Sequence, residues 1–352
     1  MGSFEGTRVL VTGGAGFVGA NLVRELLGRG AEHVLVVDNL LSAEPENLPE
    51  DGRIRLVTGS ITDDNILAGI GDEFDYVFHL ATYHGNQSSI ADPLADHENN
   101  TLTTLKLCER IKNFKKIRRL VYSSAGCTVA EKTFEAAAAT QEDAPVSLHL
   151  DSPYQISKII GELYCNYYAA RHGLPAVKAR FQNVYGPGEV LGAGQWRGTP
   201  ATVWRNVTPT FIYRALKHWP LTLENEGVAT RDFIYVDDIV EGLILCAERG
   251  EPGGVYNIAS GVETSVRELA ELVNRMAGNP TPPVYLPKRD WDRSGKRFGC
   301  TKKSEAALGF KAATNLEEGL QKTIDWTRAN LGFIEKCMDR HRKLMPGGVL
   351  GP

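Results

Sequence analysis

Cysteine is scarce in this 352-residue chain: there are six, and no two of them form a C-x-x-C pair. A disulfide scaffold is excluded, and a reducing compartment, the cytoplasm, is the expected setting. Long apolar runs are missing too. None approaches the roughly 18 residues of a membrane-spanning helix. The opening MGSFEGTRVLVTGG has no basic stretch followed by an apolar one, so neither a membrane partner nor a secretory leader is expected. Excess charge of either sign is absent: 39 basic residues face 43 acidic ones, a net charge of −4. Nucleic-acid binding, which needs a strong basic footprint, is not expected. His84 and His97 have no partners at metal-ligand spacing, so no metal is expected either.

What is present is enough apolar residue, 42%, for a large core. Short apolar runs at 8–12 (RVLVT), 33–38 (HVLVVD), 53–57, 75–80 (DYVFHL), 119–122 and 176–181 read as strands. Between the first two, Leu22, Val23, Leu26 and Leu27 fall at helical spacing, and further helices are expected over about 99–111 and 153–172. Strands alternating with helices in this way predict a parallel sheet covered on both faces. After residue 183 the rhythm loosens. Residues 186–209 are rich in Gly and Pro and hold Trp196 and Trp204, which suits a substrate loop, with helices expected at 210–217, after 236, at 266–276 and at 315–329. The last 20 residues are charged and then Gly/Pro-rich, and are expected to fray.

Residues 9–19 read VLVTGGAGFVG, with Gly13, Gly16 and Gly19 three apart, leaving a strand and opening a helix. Gly13 permits a tight turn, Gly16 lets a pyrophosphate approach the backbone, and Gly19 lets the helix pack on the sheet. Asp38 ends the second strand, where a carboxylate accepts hydrogen bonds from both adenosine-ribose hydroxyls. A 2′-phosphate would meet that charge unpaired, so NAD is favoured over NADP. Further on, PYQISK places Tyr154 and Lys158 four apart, on one face of a helix. A free tyrosine has a pKa of about 10. A nearby ammonium, helped by the positive nicotinamide ring, favours its phenolate, which can remove a proton from an alcohol while hydride leaves the same carbon.

Together, VTGGAGFVG, HLA at 79–81, YSS at 122–124, YxxxK at 154–158 and RFQNVYGPG at 180–188 resemble the extended short-chain dehydrogenase/reductase family, in its nucleotide-sugar epimerase/dehydratase branch. The resemblance implies an α/β fold, a Rossmann-type doubly wound parallel sheet with a smaller C-terminal α/β substrate domain. It divides the chain into an NAD domain at 1–180, a nucleotide-sugar domain mainly at 181–330 with the chain able to cross back, and a charged flexible tail at 331–352. It implies NAD as cofactor, a nucleoside-diphosphate sugar as substrate, and a homodimer formed through helices near 99–114 and 154–172. The catalytic set it implies is Ser124, Tyr154 and Lys158, with Ser123 as the alternative serine because SSAGCTVAE is one residue longer than the family pattern. The cofactor would meet Gly13, Gly16, Phe17, Val18, Gly19, Asp38, Asn39, Ser60, Ile61, Leu80, Ala81 and Asn100, besides Tyr154 and Lys158. Ser60 stands where the family often has an aspartate. The sugar nucleotide would meet Ser124, Tyr154, Asn183, Arg231 and Arg293, with Arg289 as an alternative to the last.

Several reactions in this branch begin with oxidation of the sugar to a ketone. Dehydratases of the branch carry Asp-Glu directly after the Ser/Thr and decarboxylases a Glu beside it, whereas this chain has Ala125 and Gly126. That leaves 4-epimerisation as the expected activity: Tyr154 takes the C4 hydroxyl proton and hydride returns to the other face. The alternatives are another 4-keto-forming reaction, decarboxylation or dehydration, and 3,5-epimerisation with Cys127 as base, because SxxC and QWRG at 195–198 faintly resemble GDP-mannose 3,5-epimerases. There a lysine stands near the position of Arg197, and arginine is a poor base. Cys127 is read first as a buried spectator and His79 as structural. An NAD-binding regulator without turnover is the alternative of a different class.

Overall fold

The computed structural model describes residues 3–129, 133–289, 295–348 and 350–351. Its first half alternates as the sequence predicts. Strand β1 (Arg8–Thr12) leads into helix α1 (Phe17–Gly28) and β2 (His33–Asp38), then β3 (Ile54–Thr58), a short α2 (Asp64–Ala68) and β4 (Tyr76–His79). Two short helices, α3 (Asn86–Ala91) and α4 (Pro93–Asp96), precede α5 (Thr103–Ile111), β5 (Arg119–Ala125), the long α6 (Pro153–His172) and β6 (Ala176–Phe181). One difference lies at the start of the helix expected from residue 99. Residues His97–Leu102 form a π turn that runs into α5, a wider winding that is frequent at functional sites.

Strand Val255–Ile258 pairs with the outer edge of β6, so the seven-stranded sheet runs Val255–Ile258, β6, β5, β4, β1, β2, β3, and every pairing is parallel. Strand order therefore reverses between β1 and β4. This switch point opens a crevice at the C-terminal ends of the strands, where ligands of doubly wound sheets bind. One face is covered by α1 and helix Val236–Arg249, whose Leu22, Val23, Ile239 and Leu243 lock onto Val9, Phe78 and Val121. The other is covered by α5 and α6, through Leu107, Ile111, Cys165 and Tyr168. Each fully buried Leu, Ile or Val contributes about 1.5–3 kcal/mol.

The smaller C-terminal part has a core of its own, with Phe211, Ile212, Leu269, Val273, Leu320 and Ile324 packed between helices Val207–Leu216, Val266–Ala277 and Leu316–Ala329. The C-terminal segment departs from the expected fraying. Leu331–Asp339 is helical, and Ile334, Cys337, Met338, Met345 and Leu350 are buried against Val190, Leu191 and Val203. Its charged residues face outward or pair, as Arg340 does with Glu44 at 2.8 Å, while the apolar ones between them are covered.

Candidate active site

The glycine turn joins β1 to α1 at the switch point. Gly13 has φ +75°, and a Cβ there would lie 2.5 Å from the Ala81 nitrogen; one on Gly19 would lie 2.2 Å from the Gly13 carbonyl oxygen. Both positions thus exclude side chains, and the start of α1 is drawn tightly onto the sheet. Gly16 caps α1 without a side-chain hydrogen bond, and the first turn holds no acidic residue. The N–H groups there remain available to an anion. Asp38 accepts hydrogen bonds from the backbone N–H of Ala15 (3.0 Å) and Leu40 (2.9 Å). Burial pushes its carboxyl up, against the opposing pull of these N–H groups. A carboxylate has about four acceptor positions, so these backbone groups do not exhaust it and ribose hydroxyls can still be accepted. An open anion cradle with a carboxylate at its ribose end fits a dinucleotide without a 2′-phosphate.

Helix α6 supplies the second group of residues. Ser152 caps it, Pro153 fills its first position, and Gly173 ends it with φ +70°. Tyr154, Lys158 and Glu162 follow at four-residue steps along one face. The Lys158 ammonium donates to the Ser123 carbonyl oxygen at 2.9 Å and lies 5.9 Å from the centre of the Tyr154 ring. Burial pulls Lys158 down to about 8, opposed by Asp96, Cys127 and Cys165. Burial also pushes the Tyr154 phenol well up, and Cys127 and Asp96 add to this. Lys158 by itself thus leaves the phenol protonated, which is why the expectation joined it with the positive nicotinamide ring. The ammonium sits over the ring and engages a carbonyl, and desolvation of the phenol dominates.

The two serines differ in their partners. Ser123 donates its hydroxyl to the His79 carbonyl oxygen at 3.0 Å. Ser124 donates to Glu162 Oε1 at 2.5 Å, and Glu162 in turn grips the Arg180 guanidinium through bonds of 2.8 and 2.9 Å. With its hydrogen turned to a carboxylate, Ser124 can offer only lone pairs to a ligand.

These parts meet in one cavity of about 700 Å³. Its wall includes Gly13, Gly16, Phe17, Val18, Gly19, Asp38, Asn39, Ser60, Ile61, Leu80 and Ala81 from the expected cofactor set, and Ser123, Ser124, Tyr154, Lys158, Asn183, Arg231 and Arg289 from the rest. Ser60 accepts from the N–H and hydroxyl of Thr62. Arg289 pairs with Glu224, and Arg231 donates to the carbonyls of Thr230 and Gly295, both at 2.6 Å. Asn100 is not on the wall. It is buried in the π turn, accepting from Tyr83 N–H (2.7 Å) and Thr82 Oγ1 (2.9 Å) and donating to Asp96 (2.7 Å) and Ser157 (3.1 Å). Both ends of its amide are engaged, so it fixes the loop after β4 and does not face a ligand. Arg293 lies outside the described residues. Among the described residues no group of three or more His, Cys, Asp or Glu could hold a metal, and no helix is long and apolar enough to cross a membrane.

Cys127 is half-buried on the same wall, and Trp204 lies there too, whereas Trp196 packs beside the C-terminal segment. His79 is enclosed between the hydroxyls of Thr12 (2.6 Å) and Thr104 (3.0 Å), with burial and then Lys158 drawing it down to about 3, as suits a structural histidine. The sequence reading missed Glu162, Arg180, Glu189, Arg205 and Asn206. A signal existed for Arg180: Lys178 and Arg180 are charges in a strand that reads as buried on both faces. Glu162, one turn after Lys158, was findable on the same helix face.

Residues 9–259 match the model of the NAD dependent epimerase/dehydratase family. A UDP-glucose 4-epimerase of Mycolicibacterium smegmatis is 32% identical over 91% of this chain and 98% of its own. Among solved structures, the Bordetella bronchiseptica enzyme WbmF in complex with NAD+ and UDP is 59% identical, with a TM-score of 0.88 over 97% of this chain and 98% of that one. The UDP-glucose 4-epimerase of Thermotoga maritima with UDP-glucose is 31% identical, with a TM-score of 0.82 over 92% and 99%.

Proposed function

The chain belongs to the NAD-dependent epimerase/dehydratase family, and from that premise we propose that it is a nucleotide-sugar 4-epimerase. NAD is its cofactor, held by the glycine turn, the start of α1 and Asp38. Bound there, it supplies a nicotinamide able to take up and return a hydride, and a positive charge that favours phenolate. Tyr154 takes the proton of the C4 hydroxyl and later gives it back. The buried Lys158 ammonium offsets part of the desolvation that holds Tyr154 protonated. Ser124, its own hydrogen committed to Glu162, accepts a hydrogen bond from a sugar hydroxyl and orients it. Arg231 and Asn183 face the remainder of the nucleotide sugar. The keto-sugar turns over before hydride returns, and no net oxidation occurs.

The observation that carries this reading is the meeting of Tyr154, Lys158 and Ser124 on one cavity wall with the glycine turn, where Ala125 and Gly126 replace the acidic pair that elimination needs. The test is to incubate the protein and NAD with UDP-, GDP-, CDP- and dTDP-sugars and follow the sugar by NMR. Inversion at C4 with NAD unchanged is expected. Loss of water or carbon dioxide from the sugar would overturn the reading, and NAD binding with no turnover of any sugar would favour a regulator.

Cys127 supports a second reading, because it lines the cavity close enough to Tyr154 and Lys158 to bias the charge of both. A thiolate there could remove the proton alpha to a 4-ketone and give 3,5-epimerisation. In heavy water that route labels C3 or C5, and 4-epimerisation does not. We also propose a homodimer. Ile156, Leu163 and Tyr167 are exposed along one side of α6 at 47%, 58% and 54%, an apolar stripe suited to a second copy. The cytoplasm is the proposed compartment.

A further inference from the structure

The segment 189–206 brings two guanidinium groups into the cavity wall that the reaction above does not employ. Arg197 is 4% exposed. Its backbone N–H is taken by Thr202 Oγ1 and Nη1 reaches the Leu41 carbonyl at 3.3 Å, but its buried Nε has no partner. No carboxylate among the described residues forms an ion pair with it. Arg205 donates to the carbonyls of Val190 (3.3 Å) and Ser42 (2.9 Å). Glu189 attracts Arg205, yet Glu189 is bound by Asn206 and pushed by burial up to about 7. Glu44 attracts Arg205 as well but is already paired with Arg340, and no carboxylate acts on Arg197. Burial and the nearness of Arg205 draw even Arg197 down, to about 9.

The place of the pair is fixed by His84. His84 bonds Asn206 Oδ1 at 3.2 Å, next in the chain to Arg205, and its ring stands edge-on to Tyr154 at 5.9 Å; burial first, and then Arg205, Arg197 and Lys158, draw it down to about 4. The arginines therefore border the reacting end of the cavity.

We propose that Arg197 and Arg205 seat a carboxylate carried by the sugar, so that the substrate is a nucleoside-diphosphate uronic acid. This rests on the reading that C4 of the sugar lies at Tyr154. The C6 carboxylate of a hexuronic acid is two bonds from C4, which brings it beside that residue. A carboxylate matches the planar fork of a guanidinium. The arginines already bear the cost of desolvation before a ligand enters, and an anion between them relieves their repulsion.

The test is calorimetric titration of the NAD-loaded protein with UDP, UDP-glucose, UDP-galactose, UDP-glucuronate and UDP-galacturonate. The uronates are expected to bind about 10- to 100-fold more tightly than the matching hexoses, the range for hydrogen bonds to charged groups. Arg197→Gln should bring the uronates down to hexose affinity, and Arg197→Lys should keep part of the preference. Equal affinities in the wild type overturn the proposal, whether or not the variants fold. So does an Arg197→Gln protein that loses NAD but keeps the preference, since the arginine would then serve the dinucleotide. The two readings fail separately. C4 inversion of UDP-glucose without a uronate preference sinks the seat alone, and a uronate preference with inversion at another carbon sinks the 4-epimerase alone.

Discussion

Two parts of the cavity wall handle buried charge in opposite ways. Behind Ser124, Glu162 and Arg180 are 7% and 5% exposed and cancel each other through paired hydrogen bonds. In the 189–206 segment, Arg205 is attracted by Glu189, which burial pushes up to about 7, and by Glu44, which Arg340 already pairs, while Arg197 has no carboxylate beside it. Charge taken out of water must be matched or else waits on something that enters. The matched pair supports the shape of β5, β6 and α6. The unmatched one belongs to ligand binding. Tyr154 and Lys158 lie between these cases, desolvated and without carboxylate partners, as groups that change charge during a reaction should be.

The largest effect expected is on turnover. Tyr154→Phe removes the atom proposed to exchange a proton with the C4 hydroxyl, so kcat should fall about 10²- to 10⁴-fold. NAD should stay bound, because no cradle residue is altered. Full activity in this variant would mean that α6 contributes support and no chemistry. The next effect is on stability. Glu162→Ala strands the Arg180 charge and should cost about 3–5 kcal/mol, the usual loss on breaking a buried pair. Arg197→Met should behave differently and change stability by no more than about 1 kcal/mol, since a cation that lacks a matching anion contributes little. Urea unfolding of both variants gives the comparison directly. Equal losses would show that the 189–206 arginines are as structural as Arg180.

The same contrast explains what the sequence made visible. The turn from Gly13 to Gly19, Asp38, and the pair Tyr154 and Lys158 sit at fixed spacings on single elements. Periodicity therefore locates them, and the parallel sheet follows from the same rhythm. Glu189, Arg197 and Arg205 lie in a Gly/Pro-rich loop without period, and they acquire meaning only when the fold sets them against Leu41, Ser42 and His84. Asn100 was legible as a buried asparagine but not as one turned from the cavity, because that depends on Tyr83 and Asp96. The tail after residue 331 was hidden by its charges. The apolar positions among them, Ile334, Cys337 and Met338, pack on the loop at 190–203, a surface that exists only in the folded chain.

The smallest effect expected is on pH dependence, and it separates support from chemistry at one residue. Burial lowers Lys158 to about 8 in the folded protein, against about 10.4 for an ordinary lysine. Between these values the folded state binds fewer protons than the unfolded one. By linkage, the contribution of Lys158 to stability therefore rises with pH across that window and is constant below it. Activity should run the other way, because the ammonium that opposes desolvation of Tyr154 is lost as pH passes about 8. The rate of the first hydride transfer, followed as NADH absorbance, should decline severalfold above that point while the thermal midpoint does not fall with it. In Lys158→Met both trends should vanish, leaving a slow rate without that alkaline decline. A wild-type rate that stays level through this range would show that Lys158 acts by packing and its bond to Ser123, and would move it to the same side of the comparison as Arg180.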